Sequence, residues 1–175
     1  MKKSLTKIFL FLFLDFIPYM RFGRKFFHLK LLKLYSKQIG ENLNFHYGVI
    51  FHATKKTVFG NNISIGQNSM LLLGGVECKI GDNVMLGSDV KLITIEHGYK
   101  DKDLPMSQQK SVYSPIIIED DVWLGDSVKV ISGSKSLKIS KGIIVGAGSI
   151  VTKDLDQEYG IYVGVPAKFL KSRFE

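Results

Sequence analysis

Cysteine occurs once in the 175 residues, at Cys78; proline occurs four times and tryptophan once. A lone cysteine excludes an internal disulfide framework and suits a reducing compartment. Long hydrophobic runs are also lacking. The most apolar window, residues 8–20, is about 13 residues long and contains Asp15, whereas a membrane-spanning helix needs ~20. The opening "MKKSLTKIFLFLFLDF" has the basic start and apolar core of a secretory leader, but no small-x-small cleavage site follows it. The expectation is a cytoplasmic protein, with the inner face of the cytoplasmic membrane as a second possible station. Acidic residues are scarce in one place only. Residues 1–38 carry nine Lys/Arg against Asp15, so the net charge of +8 lies wholly in that segment and the body is balanced. A balanced body argues against nucleic-acid binding, which needs basic side chains concentrated on phosphate.

Residues 1–38 read as two helices, roughly 3–16 and 20–37, broken at Pro18. One reading is a helical cap over the first coil of the main domain. The other adds peripheral contact with an anionic membrane, worth ~1 kcal/mol per basic residue near the surface.

Glycine, by contrast, is plentiful at 17, and from residue 60 the chain is periodic. "IGDNVM" (80–85) is followed by "LGSDVK" (86–91), "IEDDVW" (118–123) by "LGDSVK" (124–129), and "ISKGII" (139–144) by "VGAGSI" (145–150). A six-residue aliphatic period fits neither a helix nor a hairpin-forming strand. It fits a short strand and a corner repeated around a coil, with the first side chain of each unit stacked in a central column. Gly81, Asn83, Gly87 and Gly125 stand where such corners need small residues or positive φ. Two intervals, Leu71 to Ile80 and Val130 to Ile139, are nine residues long and read as bulged corners.

These repeats, above all "IIIEDDVWLGDSVKV", "IIVGAGSIVTKDL" and "IYVGVPAKFLK", resemble the hexapeptide-repeat acyltransferases from about residue 39 to 173. Within that family the match is to galactoside and maltose O-acetyltransferases and to bacterial surface-polysaccharide O-acetyltransferases. The resemblance implies an all-β solenoid, a left-handed parallel β-helix; the usual right-handed crossover rule alone would not give that hand. The expected plan is a helical segment at 1–38, the β-helix at 39–168 with an extruded loop near 98–115, and a short C-terminal helix at 169–175. The sequence departs from the family at the stretched "SGSKSLKIS" corner, at Ser140, where glycine is usual, and in having basic helices in place of the maltose-type N-terminal domain.

Acyl transfer from a thioester to a hydroxyl needs a base at the attacking oxygen, donors for the oxyanion and a grip on the carrier. Imidazole is the side chain best suited to take the proton. Of the four histidines, His28 lies among lysines, and His46 and His52 follow phenylalanines at column positions, so both should point outward on different sides of the coil. No converging ligand set is evident, and no metal is expected. His97 ends the aliphatic run "LITIEH" at the start of an irregular stretch of about 18 residues, and long loops in compact repeats are usually functional. It is either a base or the polar residue at which a strand stops. The family places its catalytic histidine at this point.

For the orientation of His97, Asp89, Glu77 and a backbone carbonyl remain open, since adjacent Glu96 should point the other way. The resemblance further implies an acceptor contact at Asn68; Tyr113, with Lys100, Asp101 and Asp103 on the loop, is either part of an acceptor pocket or solvated surface, and Trp123 is either a groove wall or a contact with a neighbouring subunit. The resemblance implies acetyl-CoA contacts at Gly125, Ser132, Gly146 and Ala147 along the pantetheine arm, and at Thr152, Lys153, Lys168 and Lys171 around the nucleotide phosphates. It also implies a homotrimer with clefts between subunits. The function expected is acetyl-CoA-dependent acetylation of a sugar hydroxyl in capsule, lipopolysaccharide or other surface-glycan synthesis. The alternatives are another acceptor (an amino sugar, serine or a xenobiotic) or a non-catalytic or metal-bearing β-helix. Cys78 is expected only to pack.

Overall fold

The computed structural model describes residues 24–52 and 55–175. The chain winds into a three-sided coil whose short strands stack in parallel from one turn to the next. Face A holds Gln38–Ile39, Thr57–Phe59, Cys78–Ile80, Ile116–Ile118 and Leu137–Ile139. Face B holds Asn44–Phe45, Ser64–Ile65, Met85–Leu86, Trp123–Leu124, Ile144–Val145 and Gly160–Val163, and face C runs from Ile50–His52 to Ile150–Val151. Register is strict. On face B, Phe45 lies over Ile65, then Leu86, Leu124, Val145 and Tyr162, one column of side chains. All six are buried, because each coil covers the apolar floor of the next. A six-residue period thus becomes a continuous core without any single long strand.

Two of the three corners keep the period up to the last coil, where the A–B step from Leu155 to Tyr162 is seven. Column residues step by six from face A to face B (Ile39 to Phe45, Ile80 to Leu86, Ile118 to Leu124) and from B to C (Leu86 to Leu92, Leu124 to Val130, Val145 to Val151). These corners turn through left-handed residues. At A–B they are Asn42, Asn62, Asn83, Asp121 and Gly142; at B–C they are Gly48, Asn68, Asp89, Ser127 and Gly148. Asn and Asp tolerate that conformation because their short polar side chains bond locally. At the A–B corner they also form a ladder: Asn42 Nδ2 donates to Asn62 Oδ1 (2.9 Å), and Asn62 Nδ2 to Asn83 Oδ1 (3.1 Å).

The third corner, from C to A, never keeps the period. Leu71 to Ile80 and Val130 to Ile139 are nine apart, Leu92 to Ile118 twenty-six, and Val151 to Leu155 only four, with Leu155 bridged to Ile139. Every bulge read in the sequence, and the extruded loop, therefore lies along one edge of the prism.

At the base, helix α1 (Arg24–Tyr35) lays Leu32 and Leu29 on the core, and Phe45, Phe51 and Phe59 meet edge to face at 5.3 and 6.1 Å. This helix falls within the one read over 20–37; the helix expected over 3–16 lies outside the described residues. At the top, the expected helix from residue 169 is not formed. Lys168–Ser172 is a strand, antiparallel to Gly160–Val163. The last parallel strand would otherwise leave its backbone edge unpaired. Arg173 fastens the tail: Nη1 donates to Asp121 Oδ2 (2.9 Å) and to the Gly142 carbonyl (2.8 Å). Phe169 packs on the ring of Tyr162 at 5.7 Å and closes the column.

Candidate active site

The long excursion at the C–A edge leaves the coil through Thr94, which is fully buried. Its hydroxyl lies 2.9 Å from the Leu72 carbonyl and 3.1 Å from that of Gly74, in the coil below. The chain returns through Ser114, whose amide donates to the Thr94 carbonyl (2.9 Å). From the coil above, the hydroxyl of buried Ser132 donates to the Ser114 carbonyl (2.8 Å). Between Thr94 and Ser114 the two limbs pair as a hairpin, Ile95 opposite Tyr113 and Glu96 opposite Val112. The neck of the loop is therefore pinned from below, from above and across.

Beyond the neck the loop is folded. Gln109 staples it: its Oε1 accepts from the Asp101 amide (3.0 Å), and its Nε2 donates to the carbonyls of Asp101 (2.7 Å) and Leu104 (2.8 Å). A 3-10 turn, Met106–Gln108, closes the far side. Gly98 is needed because a Cβ there would meet the Lys110 carbonyl oxygen at 2.7 Å. The open concavity the loop forms, about 510 Å³, is lined by His97, Glu96, Tyr99, Lys100, Lys110 and Ser134 among others.

His97 is exposed and lines this concavity, its Nδ1 3.3 Å from the Ser111 hydroxyl on the facing limb. Glu96 turns the other way, as an extended chain requires: its carboxylate lies about 3.6 Å from where a side chain on Gly133 would begin. Neither acidic candidate for orienting the imidazole is near it. Glu77 pairs with Lys37 (3.0 Å), and Asp89 occupies a B–C corner.

Asn68 is at a B–C corner too, one coil below Asp89. The width of face C, on the order of 13 Å for four extended residues, separates that edge from the loop neck. Tyr113 packs its ring over Gly75 and is not among the residues lining the concavity. Trp123 points outward on face B, in register with Met85 and Ile144. Within one subunit Asn68 and Trp123 are thus apart from His97, whereas Tyr113 belongs to the same hairpin, opposite Ile95.

The expected donor contacts fall in three places. Gly125, Gly146 and Ala147 stack at consecutive B–C corners, where a Cβ on Gly125 would meet the Ala147 amide nitrogen at 2.7 Å. Thr152 and Lys153 are exposed at the end of face C, and Lys168 and Lys171 are exposed on the tail strand. Ser132 differs, being buried and held at the loop neck. His97 and the glycine corners therefore occupy the two opposite edges of face C.

Cys78 is buried and accepts from the Ile116 amide; burial pushes its thiol pKa up, which disfavours the thiolate. His46 and His52 are exposed on faces B and C. Among the described residues, no group of three His, Cys, Asp or Glu side chains could hold a metal ion. Sequence reasoning missed Ser111, Gln109 and Gly98. The alternations "ITIE" and "SVYS" could have suggested the hairpin that brings them to His97.

No protein-family model matches the chain. It is 30% identical over 146 residues to the "putative lipopolysaccharide biosynthesis O-acetyl transferase" of Escherichia coli, covering 78% of this chain and 71% of that one. It is also 30% identical over 147 residues to the galactoside O-acetyltransferase of Escherichia coli, covering 81% and 66%. A hexapeptide-repeat-containing acetyltransferase from Vibrio cholerae, solved in complex with acetyl coenzyme A, superposes with a TM-score of 0.72 at 26% identity, over 91% of this chain and 82% of that one. Several curated relatives are longer: the chain spans 37% of one from Mycobacterium tuberculosis and 58% of one from Schizosaccharomyces pombe. Fold and similarity together define a class, the left-handed parallel β-helix proteins built on six-residue repeats. The chain belongs to the hexapeptide-repeat acetyltransferase family.

Proposed function

We propose that this chain is an acetyl-CoA-dependent O-acetyltransferase whose acceptor is a sugar hydroxyl of a surface glycan, with His97 as general base. The observation that carries the reading is the position of His97: one ring nitrogen is held by a neighbour, and the exposed side chain lines a folded concavity rather than sitting in the core.

The chemistry follows from that placement. His97 Nε2 takes the proton of the sugar hydroxyl as the oxygen bonds to the acetyl carbonyl carbon, giving a tetrahedral oxyanion. Backbone amides at the glycine corners stabilise that charge. Collapse breaks the carbon–sulfur bond, and the coenzyme A thiolate takes the proton back from the imidazolium. No acyl-enzyme forms, in keeping with a cysteine that is buried and protonated. His97 and the B–C corners lie on opposite edges of face C, so one subunit supplies the base and a neighbour supplies the donor corner. A homotrimer with three equivalent clefts satisfies this. Trp123 and Asn68 then contribute across the cleft, and Tyr113 from the hairpin that carries His97. The protein works in the cytoplasm, with the basic residues 1–38 resting against the anionic inner membrane surface.

The test is thiol release from acetyl-CoA against a panel of free glycosides, nucleotide sugars and amino sugars. Acetylation of a hydroxyl sugar, reduced roughly 10²–10⁴-fold in kcat by His97→Ala, supports the reading. Turnover unchanged by His97→Ala refutes the base, and transfer confined to amines refutes the hydroxyl acceptor.

A further inference from the structure

We infer that Ser111 is the positioning residue for His97: its hydroxyl oxygen accepts from Nδ1–H and so selects the tautomer in which Nε2 is unprotonated and free to act. This rests on the reading of His97 as the base. The contact is 3.3 Å and joins two side chains on facing limbs of the loop. It follows from the register of the hairpin. Ile95 faces Tyr113 and Glu96 faces Val112, so the next rung sets His97 opposite Ser111. One step further out, Gly98 lies so close to the returning limb that a Cβ would be 2.7 Å from the Lys110 oxygen and 2.8 Å from Gln109 Cβ. The pair is thus held between a ladder on one side and a close backbone approach on the other, with Gln109 fixing the limb beyond.

The direction of the bond decides its effect. A neutral imidazole carries one N–H. If the serine donated to Nδ1, the proton would sit on Nε2, and that nitrogen could not take another from the acceptor. With serine accepting, Nε2 keeps its lone pair, and the imidazolium formed during transfer keeps a hydrogen-bond acceptor at Nδ1. No carboxylate serves this purpose: among the described residues none lies within ion-pair distance of His97. The titratable groups lining the same concavity are Glu96 on the histidine's own strand and Tyr99, Lys100, Asp101 and Lys110 on the loop. Glu96 is turned toward Gly133, and Asp101 accepts from the Asp103 amide (2.9 Å).

The experiment reads the tautomer directly. The full chain, labelled with 15N-histidine, is examined by long-range 1H–15N correlation, with His97→Ala assigning the signal. The expected result is an Nδ1–H tautomer for His97 that shifts toward Nε2–H in Ser111→Ala. In turnover, Ser111→Ala lowers kcat roughly five- to tenfold, the worth of one net hydrogen bond, leaves KM for acetyl-CoA unchanged, and is rescued by Ser111→Thr. Ser111→Asp, which places a carboxylate beside the imidazole, moves the acid limb of the pH–rate profile upward by roughly half to one pH unit. A tautomer in Ser111→Ala that matches the unsubstituted protein overturns the inference, whatever happens to kcat. Should His97→Ala retain full activity, the base reading fails on its own, and the tautomer measurement still decides whether Ser111 orients the ring.

Discussion

Replacing Gly98 with alanine separates the loop's geometry from the stability of the coil. The added Cβ would sit 2.7 Å from the Lys110 carbonyl oxygen, 2.8 Å from Gln109 Cβ and 3.3 Å from the Gln109 carbonyl carbon. Carbon atoms rest at about 3.5–4.0 Å, so the returning limb must recede by roughly 0.5–1 Å. It cannot recede at one residue alone, because Gln109 is tied to Asp101 and Leu104 by three hydrogen bonds. The separation between His97 and Ser111 starts at 3.3 Å. An opening of that size takes it beyond hydrogen-bond range. Overpacking of this kind costs about 1–3 kcal/mol, but here the strain falls outside the neck set by Thr94, Ser114 and Ser132. The expected outcome is a loss of kcat of about tenfold or more, read by thiol release, because a small misplacement of a catalytic group is heavily felt. The urea midpoint of the β-helix should stay essentially where it was. Full activity in Gly98→Ala, or a collapse of global stability instead, would refute the idea that this contact sets the catalytic geometry.

Two further outcomes are expected. The Lys138 ammonium beside Glu119 (2.8 Å) holds that carboxyl below the usual carboxylate range, with the Lys141 amide adding to it. Because the folded-state value is depressed, this contribution is present above the unfolded-state pKa and lost as pH falls through the folded value. Lys138 is raised chiefly by its hydrogen bond to Glu119, so its share holds below the usual lysine range and is lost at higher pH. Glu119→Gln should therefore lower the urea midpoint slightly at neutral pH and by nothing in strong acid; a constant difference at all pH values would count against the pair. For membrane contact, removal of residues 1–23, which hold four of the nine basic side chains of the segment, should weaken binding to anionic vesicles. At ~1 kcal/mol each the loss is on the order of 10²–10³-fold, and binding that persists unchanged would refute the contact.

Much of the coil was legible because two corners keep the six-residue step in every coil but the last, and each step deposits an apolar residue in the column. The third corner could not be read in the same way, since its length is set by what it carries. That is why the roles of Ser132 and Asn68 were blurred in sequence. Ser132 looked like part of a carrier groove, but its hydroxyl belongs to the neck of a loop that leaves one coil earlier. The tail "KFLKS" has basic and apolar residues compatible with a short helix. What makes it a strand is the open edge of Gly160–Val163, a long-range circumstance. Ser111 was invisible for a related reason: its partner is fourteen positions away, and only the hairpin register joins them. His97, by contrast, was marked locally, by the end of an aliphatic run at the start of a long insertion.

Confining every irregular length to one edge has a consequence for how such a protein can change. The registers of all three faces are set by the two constant corners, so residues can be gained or lost at the third without shifting a single column side chain. His97 and its loop ride on that permissive seam, while the glycine corners expected to hold the donor lie on an edge that tolerates no change in length. On the proposed reading, acceptor preference and donor handling would be inherited separately, and the region 98–110 could be exchanged as a cassette while the stack stays the same.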